Sequence, residues 1–234
     1  MSFARLVEPE LLDQLRADDP RAIRSRGDLR RINRLMSATR LLEEALDPLI
    51  TGREQLRIIE LGAGDGSLML RLAHTRTTHW PRITLGLLDM QPVVSADVLE
   101  RYRAIGWTPE VIKADVFDWL ASTPASDTDT PIIVANLFLH HFDGQRLTDL
   151  IHGIAARARA FVCLEPRRSG TALLGSRMLG VIGCNAVTRH DAVVSVRAGF
   201  DDGELSALWP SDTGWTLNEG KAGLFSHRFV AVRT

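Results

Sequence analysis

The feature that most restricts the fold is the run Ile58-Ile59-Glu60-Leu61-Gly62-Ala63-Gly64-Asp65-Gly66-Ser67. A short apolar run that enters clustered glycines and then helix-forming residues reads as a strand, a tight turn and a helix start. Glycines let the backbone pass close beneath a ligand, and the first turn of a helix offers N–H groups without intrahelical partners. Nicotinamide-binding turns hold a pyrophosphate with the spacing G-x-G-x-x-G. Here the spacing is G-x-G-x-G, and Glu60 stands ahead of the first glycine. That carboxylate would repel a pyrophosphate and suits a ligand with a cationic amino-acid end. A turn with only a packing role is the plainer alternative.

Downstream, short apolar runs alternate with helical segments. Strands are expected at 56–61, 83–88, 110–114, 131–135 and 160–164, and helices at 67–74, 93–105 and 145–159. That rhythm means right-handed βαβ units and a mostly parallel, Rossmann-like α/β sheet. Two further strand-like runs, 213–219 and 225–232, flank the spacer 220–223 and suit an antiparallel edge hairpin. Residues 1–55 read as a helical cap, with Asp28 capping a helix that carries Leu29, Ile32, Leu35, Met36, Leu42 and Leu46. Pro48 and Gly52 are expected to end it. The segment 170–199 breaks the rhythm and reads as a helical insertion after the fifth strand. The organisation is then one domain: a cap at 1–55, a core at 56–166, an insertion at 167–200 and the hairpin at 201–234.

Composition sets outer bounds on this reading. A chain of 234 residues, 45% hydrophobic and 24% charged, can bury one ordinary α/β core. Its 28 basic and 29 acidic side chains nearly cancel, so no general attraction to nucleic acid or an anionic membrane is expected. No stretch approaches the ~20 apolar residues of a membrane span, and no apolar signal core opens the chain. Cys163, inside Phe161-Val162-Cys163-Leu164, reads as a buried small hydrophobe, and neither it nor Cys184 has metal-ligand spacing. A cytoplasmic, reduced protein without a metal is the expectation.

Acids close the next two strands. Asp89, followed by Met90, could accept both hydroxyls of a ribose. Asp115 could accept an adenine amino group while Val116 packs on the ring. The plainer alternative for Asp89 is a helix cap or a solvated loop acid, and for Asp115 a cap for the helix toward Leu120. Three acids at three successive strand ends support one another, because ligands bind at the carboxyl edge of such a sheet.

With these residues in place, Glu60-Leu61-Gly62-Ala63-Gly64-Asp65-Gly66, Asp89, Asp115 and Asn136-Leu137-Phe138-Leu139-His140-His141-Phe142-Asp143 resemble the class I S-adenosylmethionine (SAM)-dependent methyltransferases. The likeness is closest to the ubiquinone/menaquinone-biosynthesis type and its small-molecule relatives, over about residues 55–166. The resemblance implies a seven-stranded sheet whose last strand is antiparallel. It implies SAM as cofactor, released as S-adenosylhomocysteine (SAH). Glu60, Gly62 and Gly64 would then face the methionine moiety, Asp89 the ribose and Asp115 the adenine, with Ala63, Met90 and Val116 also at the cofactor. Asn136 and Leu137 would stand beside the methyl group.

Methyl transfer from a sulfonium is an in-line displacement, so alignment supplies much of the acceleration. A hydroxyl or acidic carbon also needs a base, for which histidine fits. His141, just past the fourth strand, and His190 in Arg189-His190-Asp191 are the candidates, with a structural or solvated role as the alternative for each. Arg189, Asp191 and Arg167, the last in Glu165-Pro166-Arg167-Arg168, could bind a polar acceptor, although surface arginines are the blander account. Arg30, Arg31, Asn33 and Met36 sit on a helix that could serve as a lid or simply pack on the sheet. No Asn-Pro-Pro-Tyr-like stretch follows the fourth strand and no Pro-Cys nucleophile is present, which disfavours amino- and cytosine-directed enzymes. A small-molecule O- or C-methyltransferase acting on an aromatic or polyketide-like acceptor leads, with the apolar stretch 172–182 as its cap. A non-catalytic SAM-fold partner or sensor is the alternative, and a nicotinamide dehydrogenase a distant third.

Overall fold

The computed structural model describes residues 3–52, 54–76, 79–122, 130–211 and 214–234. Its sheet contains β1 (Gln55–Leu61), β2 (Arg82–Asp89), β3 (Thr108–Lys113), β4 (Ile132–Asn136), β5 (Ala160–Pro166), β6 (Trp215–Ala222) and β7 (Ser226–Arg233). Their spatial order is β3-β2-β1-β4-β5-β7-β6. The first five run parallel, and β7 enters antiparallel between β5 and β6. The expected seven-stranded, mostly parallel sheet with an antiparallel edge pair is therefore observed.

Side-chain alternation explains how the central strands are covered on both faces. Ile58, Ile132, Val134 and Val162 point into one apolar cluster, whereas Ile59, Ile133, Phe161 and the buried Cys163 point into the other. The first cluster includes residues of α3 (Ala38–Ile50), α4 (Ser67–Arg76) and α5 (Ala96–Ala104). The second includes residues of α6 (Val116–Ser122), α7 (Gly144–Arg157) and α10 (Glu204–Leu208). Strand order reverses between β1 and β4, which opens a crevice at their carboxyl ends.

The N-terminal region departs from the sequence reading in three respects. It holds α1 (Leu11–Gln14) and α2 (Pro20–Leu35) before α3, with a break at Ser37, whose φ is 56°. Asp19 caps α2 by accepting the Arg21 amide, with Pro20 in its first turn, so Asp28 is not a cap for its own helix. Asp28 lies inside α2, buried, and accepts the Asn185 amide at the start of α9 (Ala186–Ala198). Pro48 sits inside the last turns of α3, and the helix runs on to Ile50.

After β5 the insertion folds as α8 (Gly170–Arg177), a short 3₁₀ turn and then α9. The spacer expected at 220–223 is shorter in fact. β6 continues through Ala222, while Thr213 lies outside the described residues. Among the described residues, no helix is long and apolar enough to cross a membrane.

Candidate active site

The glycine turn leaves β1 at the sheet's carboxyl edge and is laced to β2. The Ala63 amide donates to the Leu88 carbonyl at 3.0 Å, and the Gly64 amide donates to Asp89 Oδ2 at 2.8 Å. Asp89 Oδ1 accepts the Gln91 amide at 2.7 Å, so this acid also shapes the loop that follows it. Gly62 has a φ of +66°, and a Cβ there would fall 2.5 Å from Phe138 Cδ2. Backbone handedness and lack of space both demand glycine.

Glu60 is 3% exposed, and its Oε2 has no hydrogen-bond partner among the described residues. Burial raises its pKa well above the ordinary carboxylate value, and the charges of Asp65 and Asp89 raise it further. A buried acceptor left bare in this way is uncommon and marks a place prepared for a donor. Asp65 accepts the Ser67 amide at 3.0 Å and pairs with Arg30 of α2. Buried Nη1 of Arg71 on α4 also has no partner among the described residues, and Asp65 acts electrostatically on this group as it does on Glu60. Asp115 closes the next strand and accepts the Phe117 amide at 2.7 Å, starting α6 with Val116 buried beside it. Met90 is 63% exposed on the outer side of the Asp89 loop.

Past β4, Asn136 Nδ2 donates to Asn33 Oδ1 at 3.3 Å, tying α2 over the crevice. Leu137 has a φ of 55°, a left-handed conformation that costs a non-glycine residue about 1–2 kcal/mol. Strain of this kind collects at functional sites.

Leu137 also lines an apolar cavity of about 260 Å³, enclosed by α2, α8, α9 and Phe225. Leu29, Ile32, Leu35, Met36, Leu179 and Ile182 supply much of its wall. Its polar lining groups largely satisfy one another: Ser25 and Thr188 hydroxyls are 2.9 Å apart, and Ser195 Oγ donates to the Asp191 carbonyl at 2.8 Å. Glu10 reaches the same wall from the N-terminal segment.

Behind Glu10 lies a chain of buried polar groups. His140 Nδ1 is 2.7 Å from Glu165 Oε2, and its Nε2 is 3.2 Å from Glu10 Oε1. Glu165 is fully buried and accepts the Phe138 and Leu139 amides at 3.0 and 2.8 Å. Burial disfavours charge on His140, but the hydrogen bonds its ring donates to both carboxylates outweigh it and bring its pKa up to about 9. His141 goes the other way, lowered by burial and then by the charge of His140. Burial likewise raises Asp13, whose Oδ2 is 3.3 Å from His141 Nδ1.

The structure thus brings Glu60, Gly62, Ala63, Gly64, Asp89, Asp115, Val116, Asn136 and Leu137 to one sheet edge. The other sequence candidates are dispersed. Asp191 lines the cavity with its two oxygens on the Leu11 and Leu12 amides at 2.8 and 3.0 Å. Arg167 is paired with Asp201 and Asp202, while Arg189 and His190 are exposed on α9. His141, His190, Arg167 and Arg189 are not among the described residues lining the cavity. The sequence reading missed Glu10, Ser195 and Arg71. Glu165 carried the same signal as Glu60, an acid ending an apolar strand.

Three solved structures are similar to this chain throughout. An O-methyltransferase family protein from Burkholderia thailandensis gives a TM-score of 0.60 at 17% identity, covering 93% of this chain and 61% of that one. The plantazolicin methyltransferase BpumL, solved with SAH, gives 0.64 at 11% identity over 95% and 94% of the two chains. The chain has the class I methyltransferase fold. The pyocyanin biosynthetic protein PhzM shares that methyltransferase fold at a TM-score of 0.56 and 15% identity, covering 97% of this chain and 62% of that one. The chain therefore spans about three fifths of the length of two of these relatives. No protein-family model matches the sequence, and no curated protein matches it.

Proposed function

We propose that this chain is a SAM-dependent methyltransferase acting on an apolar small molecule, at a hydroxyl or an activated carbon. The observation that carries the reading is the bare Oε2 of Glu60, buried beside the glycine turn. A cationic amino group is the partner it lacks, and the bare Nη1 of Arg71 offers a complementary seat for a carboxylate. Groups of opposite sign that both interact with Asp65 fit the zwitterionic end of an amino acid. Asp89 and Asp115 at the next strand ends would receive the ribose and the adenine, with Val116 against the ring.

When bound, SAM supplies an activated sulfonium methyl group. The residues of the chain hold and align. The strained Leu137, which follows Asn136 at the sheet's carboxyl edge, lines the apolar cavity, so an acceptor in that cavity would face the crevice past Leu137. Helix α2 covers both spaces through Arg30–Asp65 and Asn33–Asn136, which would exclude water. The apolar wall suits an aromatic or polyketide-like body, and the likeness to a plantazolicin methyltransferase and a pyocyanin biosynthetic protein supports a biosynthetic acceptor. Within the resemblance, the ubiquinone/menaquinone-type relatives remain the proposed subgroup. His141 and His190 remain the candidates for proton removal, although neither is among the described residues lining the cavity. Glu10 does line it, but hydrogen bonding to His140 outweighs burial and brings its pKa down to about 2, too low for an effective general base.

Transfer of label from methyl-labelled SAM to a panel of apolar phenols and polyketides tests this reading. Turnover confined to polar metabolites would overturn the acceptor class. A second reading, a SAM-binding partner or sensor without turnover, is favoured by the mutual satisfaction of the polar cavity groups. SAM binding without label transfer to any acceptor would select it.

A further inference from the structure

We propose that Glu10, His140 and His141 form a binding site for a divalent transition ion of the zinc type. One ligand atom from each of the three lies within 4.8 Å of the others. Glu10 Oε1 and His140 Nε2 are 3.2 Å apart, close to the ~3.4 Å separating two ligands of a tetrahedral ion with bonds near 2.1 Å; the ion would take the place of the proton held between them, which leaves to solvent. The His140 and His141 rings lie side by side, with centroids 4.3 Å apart.

Proximity alone would also describe an ordinary ion pair. The stronger argument is the surroundings of the two rings. Metal-ligating histidines almost always have their second nitrogen on a carboxylate, a carbonyl or water, which fixes the ring and its tautomer. His140 has that arrangement through a hydrogen bond, and His141 has a carboxylate at ion-pair distance from the same ring atom. His140 Nδ1 meets Glu165 at 2.7 Å, and His141 Nδ1 meets Asp13 at 3.3 Å. Glu165 is itself locked by the Phe138 and Leu139 amides. Two imidazoles and one carboxylate select zinc, cobalt, nickel or iron over the all-oxygen preference of magnesium and calcium. Three protein ligands leave a position open, and Glu10 stands at the wall of the apolar cavity.

The test is titration of chelator-treated protein with Co²⁺, read by visible ligand-field absorption, followed by displacement with Zn²⁺. The expected result is saturable uptake of one ion per chain, with bands of a nitrogen- and oxygen-bound ion. Asp13→Asn should weaken it about 10-fold, and Glu10→Gln and His141→Ala by more than that. Far-UV circular dichroism confirms that each variant is folded. His140→Ala is avoided because that side chain is fully enclosed. Absence of saturable uptake by the wild type would overturn the site. Uptake unchanged in Glu10→Gln and His141→Ala would overturn it equally, placing the ion on exposed histidines. The proposal stands or falls independently of SAM binding.

Discussion

A Cβ added to Gly62 would lie 2.5 Å from Phe138 Cδ2, so the first glycine of the turn and the aromatic residue after β4 fill adjoining space at the sheet's edge. Gly62→Ala must both displace that ring and hold a left-handed backbone. We expect a loss of about 2–4 kcal/mol in stability, together with weakened SAH binding. Phe138→Leu in the same chain should restore part of the stability and leave the backbone strain. Urea denaturation of the two variants checks this, and a Gly62→Ala protein as stable as the wild type would refute the packing account.

Glu60 gives a pH dependence with a definite sign. Its free-protein pKa is raised well above the ordinary carboxylate value by burial, then by the charges of Asp65 and Asp89. A cationic partner binds the carboxylate form, and binding therefore releases a proton. SAH affinity should rise with pH through the raised Glu60 pKa for as long as the ligand's own α-amino group stays protonated. Calorimetry in buffers of different ionisation heat measures both the slope and the released proton. Glu60→Gln should remove both; an affinity that grows on acidification would contradict the assignment.

The cavity makes a separable prediction. Ala192 lines it from α9, away from the glycine turn. Ala192→Trp should fill the acceptor space and abolish methyl transfer while SAH affinity stays within about two-fold, or ~0.4 kcal/mol. Parallel loss of both functions would show that the cavity and the cofactor crevice are not distinct.

The residues proposed to hold the cofactor are legible because they announce themselves locally. An acid, three spaced glycines and a helix start lie within eight positions, and Asp89 and Asp115 each close an apolar strand. The cavity was not legible, because it is assembled from distant segments. Asp28 looked like a cap for its own helix, since an acid before a periodic apolar run usually is one. The fold instead uses it across space: Asp28 in α2 receives the Asn185 amide at the start of α9, while Asp191 in α9 receives the Leu11 and Leu12 amides at the start of α1. That exchange of caps depends on helix packing and has no local pattern. The Glu10–His140 contact, between residues 130 positions apart, is hidden for the same reason.

At the far edge of the sheet, Glu219 accepts the Leu205 and Ser206 amides at 3.0 and 2.8 Å and meets His227 at 2.8 Å. Burial works against its charge, and the hydrogen bonds from His227, Ser206 and Leu205 outweigh it, leaving the pKa lowered. A depressed folded-state value contributes stability that is present above the unfolded pKa and lost as pH falls through the folded one. Glu219→Gln should lower the melting temperature near neutral pH by roughly 4–8 °C, taking about 2 kcal/mol for hydrogen bonds to a charged group. It should also flatten the acid limb of the stability curve. Thermal scans from neutral to acidic pH measure this, and an acid limb identical to the wild type would refute it.

The central claim is that this sheet edge holds SAM, and calorimetric titration of SAM and SAH into wild type and Asp89→Ala tests it most directly. The account predicts micromolar binding that Asp89→Ala weakens by about ten-fold or more, or ~1.4 kcal/mol. Absence of binding by folded, ligand-free wild-type protein would contradict it and leave the methyltransferase fold without its function.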